Sequence, residues 1–265
     1  MNTVVARPHP PSLPHGEIEK IFEDVYMVTG TVEMKMLPFM PMTFSRNMQV
    51  IRNTGGRDDD EADLILVNTV RLDDDGLAAL DGLGAVKHIV RLAAFHGMDD
   101  PFYKARYPQA TVWAVDDAPY FPNFETKSKE VYFQADKRLE ASSELPAILA
   151  GVSFVVIESE KPKDGILVLE RPEGKVLITG DSLQNMDECD AYFNYLGRLC
   201  MKMMGFISPC QVGPAWKKVA NVQPKEMRKL LDLQFDHVLP AHGRPVLGQA
   251  WKRYEASILG MGEEN

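Results

Sequence analysis

Three short apolar runs in this chain each lead to a residue of a type that binds metals. Val86-Lys87-His88-Ile89-Val90-Arg91-Leu92 runs on to His96. Val176-Leu177-Ile178-Thr179-Gly180 runs into Asp181, and His237-Val238-Leu239 runs through Pro240 and Ala241 to His242. Groups just beyond strand ends are held by a rigid sheet yet open to a cleft, so sites gather there. Gly180 and Gly243 flank two of the three residues and let the backbone turn tightly. Two imidazoles and a carboxylate converging in this way suit one divalent ion, zinc, iron or manganese.

The rest of the donor stock is structural by position. Cys189, Cys200 and Cys210 lack zinc-cluster spacing and are too few for a disulfide scaffold. His9 and His15 fall in a proline-rich start, His88 lies inside an apolar strand, and His237 opens another. The run MKMLPFMPMTFSRNM, with methionines at 34, 36, 40, 42 and 48, reads as an adaptable apolar lining. The methionines beside Cys200 read as an apolar helix near the site. Asp187, Glu188 and Asp190 read as a solvated loop, and neither a nucleophile elbow nor a phosphate loop is present.

These residues need elements to position them. Strands are expected at Val25 to Val28, Met48 to Ile51, Leu64 to Val67, Val86 to Leu92 and Ala110 to Val115. Asp73 to Asp75 precede an apolar helix with Leu77, Leu80 and Leu83 at helical spacing. A short helix ending near Pro108 separates two of the strands. Ser153 to Ile157, then Gly165 to Leu169 and Lys175 to Ile178, joined by a turn at Arg171 to Gly174, form a second group. Helices follow at roughly Asp190 to Met204, Pro224 to Leu233 and Gln249 to Leu259, with a last strand at His237 to Leu239. Arg57 to Asp63 reads as an acidic loop. The alternation favours a layered α/β architecture.

The chain has 265 residues, 45% hydrophobic and 25% charged, enough to bury a large core. Its 29 Lys and Arg against 38 Asp and Glu give a net charge of -9, which argues against nucleic acid or an anionic membrane as partner. No apolar run approaches the roughly 18 residues of a membrane helix. Residues 1–16 lack a secretory h-region and read as a flexible or surface-draped arm, followed by a single domain over 17–265. The cytoplasm is the expected compartment, and a small molecule the expected ligand or substrate.

The order of these motifs resembles the metallo-β-lactamase fold superfamily, in a divergent branch, over nearly the whole chain from Glu17. IFEDVYMVTG, LILVNTV, LAALDGLGAVKHIV, RYPQATVWA, GKVLITGDSL and FDHVLPAHGRPV carry the likeness. The resemblance implies a four-layer αββα sandwich with a metal site along one edge of the sheets. It makes Asp181 the bridging aspartate and His242 the final histidine.

The family's His-x-His-x-Asp-His motif is mostly gone. Counting back from RYPQATVWA aligns His96 with its last histidine and places Arg91, Ala93 and Phe95 at the other ligand positions. A further histidine, expected between Glu160 and Gly165, is missing from ESEKPKDG. The expected centre is therefore mononuclear at most, held by His96, Asp181 and His242, with Asp181 and Asp100 as catalytic carboxylates. Asp99, Asp100, Glu160 and Asp164 are alternatives for the missing ligands. The implied function is metal-dependent hydrolysis; the rivals are a non-catalytic binding protein of the same fold and iron-dependent redox chemistry.

Overall fold

The computed structural model describes residues 9, 11–37, 40–54, 62–116, 118–119, 131–140, 152–160 and 162–262. Most of the acidic stretch from Arg57 to Asp63, and most of the first ten residues, lie outside them. In chain order the first elements are β1 (Glu19–Phe22), β2 (Val25–Leu37), β3 (Met40–Asn53), β4 (Asp63–Val67), α1 (Asp74–Asp81), β5 (Ala85–Arg91) and α2 (Asp100–Arg106). Then follow β6 (Thr111–Ala114), β7 (Ala118–Pro119), β8 (Val131–Phe133), β9 (Lys137–Arg138), β10 (Val152–Ile157), β11 (Asp164–Arg171) and β12 (Gly174–Thr179). The last are β13 (Leu183–Met186), α3 (Tyr195–Met203), β14 (Ser208–Val212), α4 (Pro214–Val219), α5 (Pro224–Leu231), β15 (His237–Leu239) and α6 (Ala250–Leu259).

Two sheets carry the architecture. The larger has the order β1-β2-β3-β4-β5-β6-β9, and the smaller β10-β11-β12-β15. Pairing in the larger is antiparallel as far as β4 and parallel from β4 to β9. In the smaller sheet, β15 returns parallel to β12.

Residue alternation along the strands shows why these sheets stack. Ile65 and Val67 join Leu167, Leu169, Val176, Ile178 and Leu239 in one buried cluster between the sheets. Their neighbours Leu64 and Leu66 point the other way, against Leu77 and Leu80 of α1 and Tyr103 of α2. Ile166, Val168, Leu177 and Val238 likewise turn from the middle layer towards Trp216, Met227, Leu230, Tyr254 and Ile258 on α4, α5 and α6. Strands apolar on both faces thus give one β–β and two α–β interfaces, the expected αββα sandwich.

The apolar runs marked the strands well but not their lengths. Beyond Val28 and before Met48, β2 and β3 continue as a long hairpin, pairing as far out as Leu37 with Met40. The methionine-rich run supplies this extension, and Met34 and Met42 pack with Phe44, Met186, Phe193 and Met201. The helix expected from Asp190 begins only at Tyr195, where the Asn194 side chain caps it by accepting from the Gly197 backbone N–H at 2.8 Å. Asp73 caps α1 by the same bond, at 2.9 Å to Gly76. The pair β13–β14 had no apolar signature, being formed by Leu183-Gln184-Asn185-Met186 and Ser208-Pro209-Cys210-Gln211-Val212.

His88 is a satisfied strand residue: the Trp113 indole N–H donates to its Nδ1 at 3.2 Å. Burial pushes its pKa below the ordinary value, with the positive charges of Lys137 and Lys87 opposing Asp63. The unfolded chain therefore takes up the proton first. Stability from this residue is complete above the ordinary histidine value of about 6.5 and is lost as pH falls through the lowered folded value. Thermal melts should show the wild type losing more stability than His88→Gln on acidification; identical pH profiles would remove His88 as a source.

Candidate metal centre

Topology brings the three strand ends to one place. β12 and β15 run parallel, so Asp181 and His242 leave the same edge of the smaller sheet. β5 belongs to the other sheet, yet its continuation meets the start of β11, next to the end of β12. Gly165 N–H donates to the Leu92 carbonyl at 2.9 Å, and Ala93 forms a bridge with Asp164. His96 then ends a single 3₁₀ turn, Ala94–His96.

Buried amides, which no apolar pattern marks, lock this junction. Asn68, at the end of β4, accepts from Leu92 N–H at 3.1 Å and donates to the Thr179 carbonyl at 3.1 Å. It joins both sheets from a left-handed φ of 54°, a conformation asparagine tolerates. Asn47 donates to the Pro240 and Gly243 carbonyls at 2.9 and 2.6 Å, and Gln49 to the Pro240 carbonyl at 3.0 Å. The His242 loop is thereby held against β3. Their sequence signal is a polar residue within an apolar strand, as in LILVNTV.

His96, Asp181 and His242 offer ligand atoms that all lie within 4.8 Å of one another. His96 Nε2 is 3.3 Å and His242 Nε2 3.5 Å from Asp181 Oδ1. Tetrahedral bonds of about 2.0–2.1 Å would space ligand atoms by roughly 3.3 Å, so each imidazole already stands near that separation from the carboxylate. The imidazoles are 5.0 Å apart and edge to face. His242 Nδ1 donates to the Ser45 carbonyl at 2.9 Å, which turns Nε2 towards the carboxylate. A bond through Nδ1 of this kind is how ligand histidines are oriented.

Charge follows the same logic. Burial lowers the His96 pKa despite Asp181 beside it, so the ring is a neutral donor. Burial also works against the Asp181 charge, but the two imidazoles hold that carboxyl well below the usual range. An ionised carboxylate and a His96 ring that burial biases to its neutral form are what a metal requires.

The other predicted carboxylates lie elsewhere. Asp100 is fully buried with Arg91, which donates to it at 2.6 Å, and its second oxygen accepts from Thr69 at 2.8 Å. Both oxygens are engaged, and the structure does not bring it to the triad. Asp99 accepts from the Arg46 side chain and from Arg71 N–H. Glu160 is exposed and accepts from Asn221 at 3.0 Å. Asp164 alone reaches the centre, behind Asp181: its Oδ2 accepts from Ser182 N–H. Burial, and then the Asp181 charge, push its pKa up to about 8. Gly180 makes this possible, since a Cβ there would overlap both Asp164 and Ala93.

Comparison with known proteins agrees at the level of fold. No protein-family model and no curated protein matches the chain by sequence. Solved structures do match, over nearly their full length. The DIM-1 metallo-β-lactamase exposed to ceftazidime aligns with a TM-score of 0.54 at 15% identity, covering 95% of this chain and 99% of that one. The metallo-β-lactamase FIM-1 from Pseudomonas aeruginosa, in its mono-zinc form, gives 0.52 at 14%, covering 95% and 97%. The metallo-β-lactamase from Pontibacter korlensis gives 0.52 at 13%, covering 93% and 99%. The chain has the metallo-β-lactamase fold.

Arg91 stands where the resemblance placed the motif's first histidine, and its charge is spent on Asp100 and on the Asp116 carbonyl at 2.9 Å. Arg91→Met should cost about 3–5 kcal/mol, because Asp100 is left as a buried charge without a cation. Arg91→Met combined with Asp100→Leu should recover most of that loss in denaturant unfolding. Equal losses in the single and double variants would show that the pair is not the cause.

Proposed function

We propose that this protein is a metal-dependent hydrolase with a single-ion centre held by His96, Asp181 and His242. The observation that carries the reading is the convergence of the three donors, with the His242 tautomer set by Ser45. A divalent ion in such a site supplies Lewis acidity, polarising a bound carbonyl or phosphoryl oxygen and acidifying water.

The chain's own residues supply the rest. Three protein ligands leave positions open for substrate, the pattern of a catalytic rather than a closed structural site. Asp181 orients both imidazoles. The Phe44 ring lies 5.9 Å from that of His242 and gives that side of the centre an apolar neighbour. The ligand set suits zinc, iron or manganese, and the substrate is a small molecule. A cytoplasmic setting fits three cysteines that are all free.

Elemental analysis after growth in metal-supplemented medium should find about one ion of zinc, iron or manganese per chain. His242→Ala should lower the metal affinity by at least about tenfold with the fold retained by circular dichroism. Wild-type protein purified essentially free of metal would instead favour a non-catalytic binding protein of this fold.

A further inference from the structure

We propose that Arg46 docks an oxyanion of the substrate, a carboxylate or phosphate group, beside the His96–Asp181–His242 centre. The proposal rests on the single-ion reading above and adds a substrate class to it. Phe44 and Arg46 are two residues apart on β3, so both point to one side of the strand. Phe44 lies against the His242 ring, whereas Arg46 reaches Asp99, three residues beyond His96. That face of β3 therefore runs from the His242 ring to the segment just beyond His96, and the centroids of the two imidazoles are 5.0 Å apart. Arg46 lies close enough to His96 to act on it electrostatically.

The guanidinium is under-used. Its side chain is 6% exposed and donates through Nη2 to Asp99, while Nε and Nη1 are shielded from solvent without an acceptor among the described residues. A lysine or histidine in this position could lose its proton; a guanidinium cannot. Buried donors without partners are rare, and each asks for an acceptor such as an ion.

Arg71 sharpens the case. Its backbone N–H shares Asp99 Oδ2 with Arg46, its guanidinium lies 3.1 Å over the Phe102 ring, and its Nε and Nη1 also have no acceptor among the described residues. Asp99 thus takes one bond from the Arg46 side chain and one from the Arg71 backbone, and neither guanidinium has its full set of acceptors among the described residues. A fork of N–H donors recognises planar or tetrahedral oxyanions through paired bonds. Arg46 would set specificity by holding the anionic part of the substrate while the reacting bond faces the triad.

The test uses inorganic phosphate and acetate as probes on full-length protein, with metal content measured on the same samples. Calorimetric titration should show either or both binding to metal-loaded wild type, and binding should weaken at least about tenfold in Arg46→Gln with its metal retained. Arg46→Gln strands Asp99, so Arg46→Gln with Asp99→Asn provides a second variant without a lone buried charge; the same loss is expected. Acetate binding assigns the position to carboxylates, and phosphate binding alone to phosphate esters; either supports the docking role. Unchanged affinity in the double variant, or metal-loaded wild type that binds neither anion, would overturn it. Wild type that retains no metal would sink the hydrolase reading instead.

Discussion

The side-chain amide of Asn68 joins the two sheets at the point where the centre is built, accepting from Leu92 N–H and donating to the Thr179 carbonyl. Both backbone groups belong to chain leaving a strand, where the regular ladder no longer satisfies them. A buried amide that pairs with both replaces water there and fixes the distance between the sheets. His96 lies four residues beyond one partner and Asp181 two beyond the other. A shift between the sheets would pull these two side chains apart, so the geometry of the triad depends on this junction.

The same edge explains what fills the space of the missing ligands. Arg91 is paired internally with Asp100, and Ala93 bridges to Asp164 through the backbone. Asp164 in turn leans on Gly180 and ties down Ser182. Where the resemblance places ligands, this chain has an internal ion pair and a backbone bridge. Both are made by protein groups alone, although Arg91 Nε and Asp164 Oδ1 are left without a partner among the described residues. The other half, with two imidazole nitrogens around one carboxylate oxygen, has its donors facing inwards.

The layers were legible because each β4, β11, β12 and β15 run is apolar on both faces, which only a sheet covered on both sides requires. The meeting of His96, Asp181 and His242 was legible because each lies within a few residues of the end of a strand. Helix starts were less so: α3 begins five residues later than its composition suggests, since the Asn194 cap overrides the apolar pattern before it. The pair β13–β14 was hidden by its polar residues, Gln184 and Asn185, whose burial comes from loop contacts rather than from periodicity.

Local pattern thus sets strands, layers and the residue types that reach the edge, because hydrophobic alternation and strand-end chemistry are properties of short segments. The pairing of charges was decided only in three dimensions. Asp100 is as close in sequence to His96 as a replacement ligand needs to be, yet it turns away to Arg91. Asp164, far along the chain, lies behind Asp181. Which carboxylate meets which cation depends on side-chain directions and on burial, where an unpaired charge is too costly to leave. Those partners come from separate strands, so no short segment holds the information.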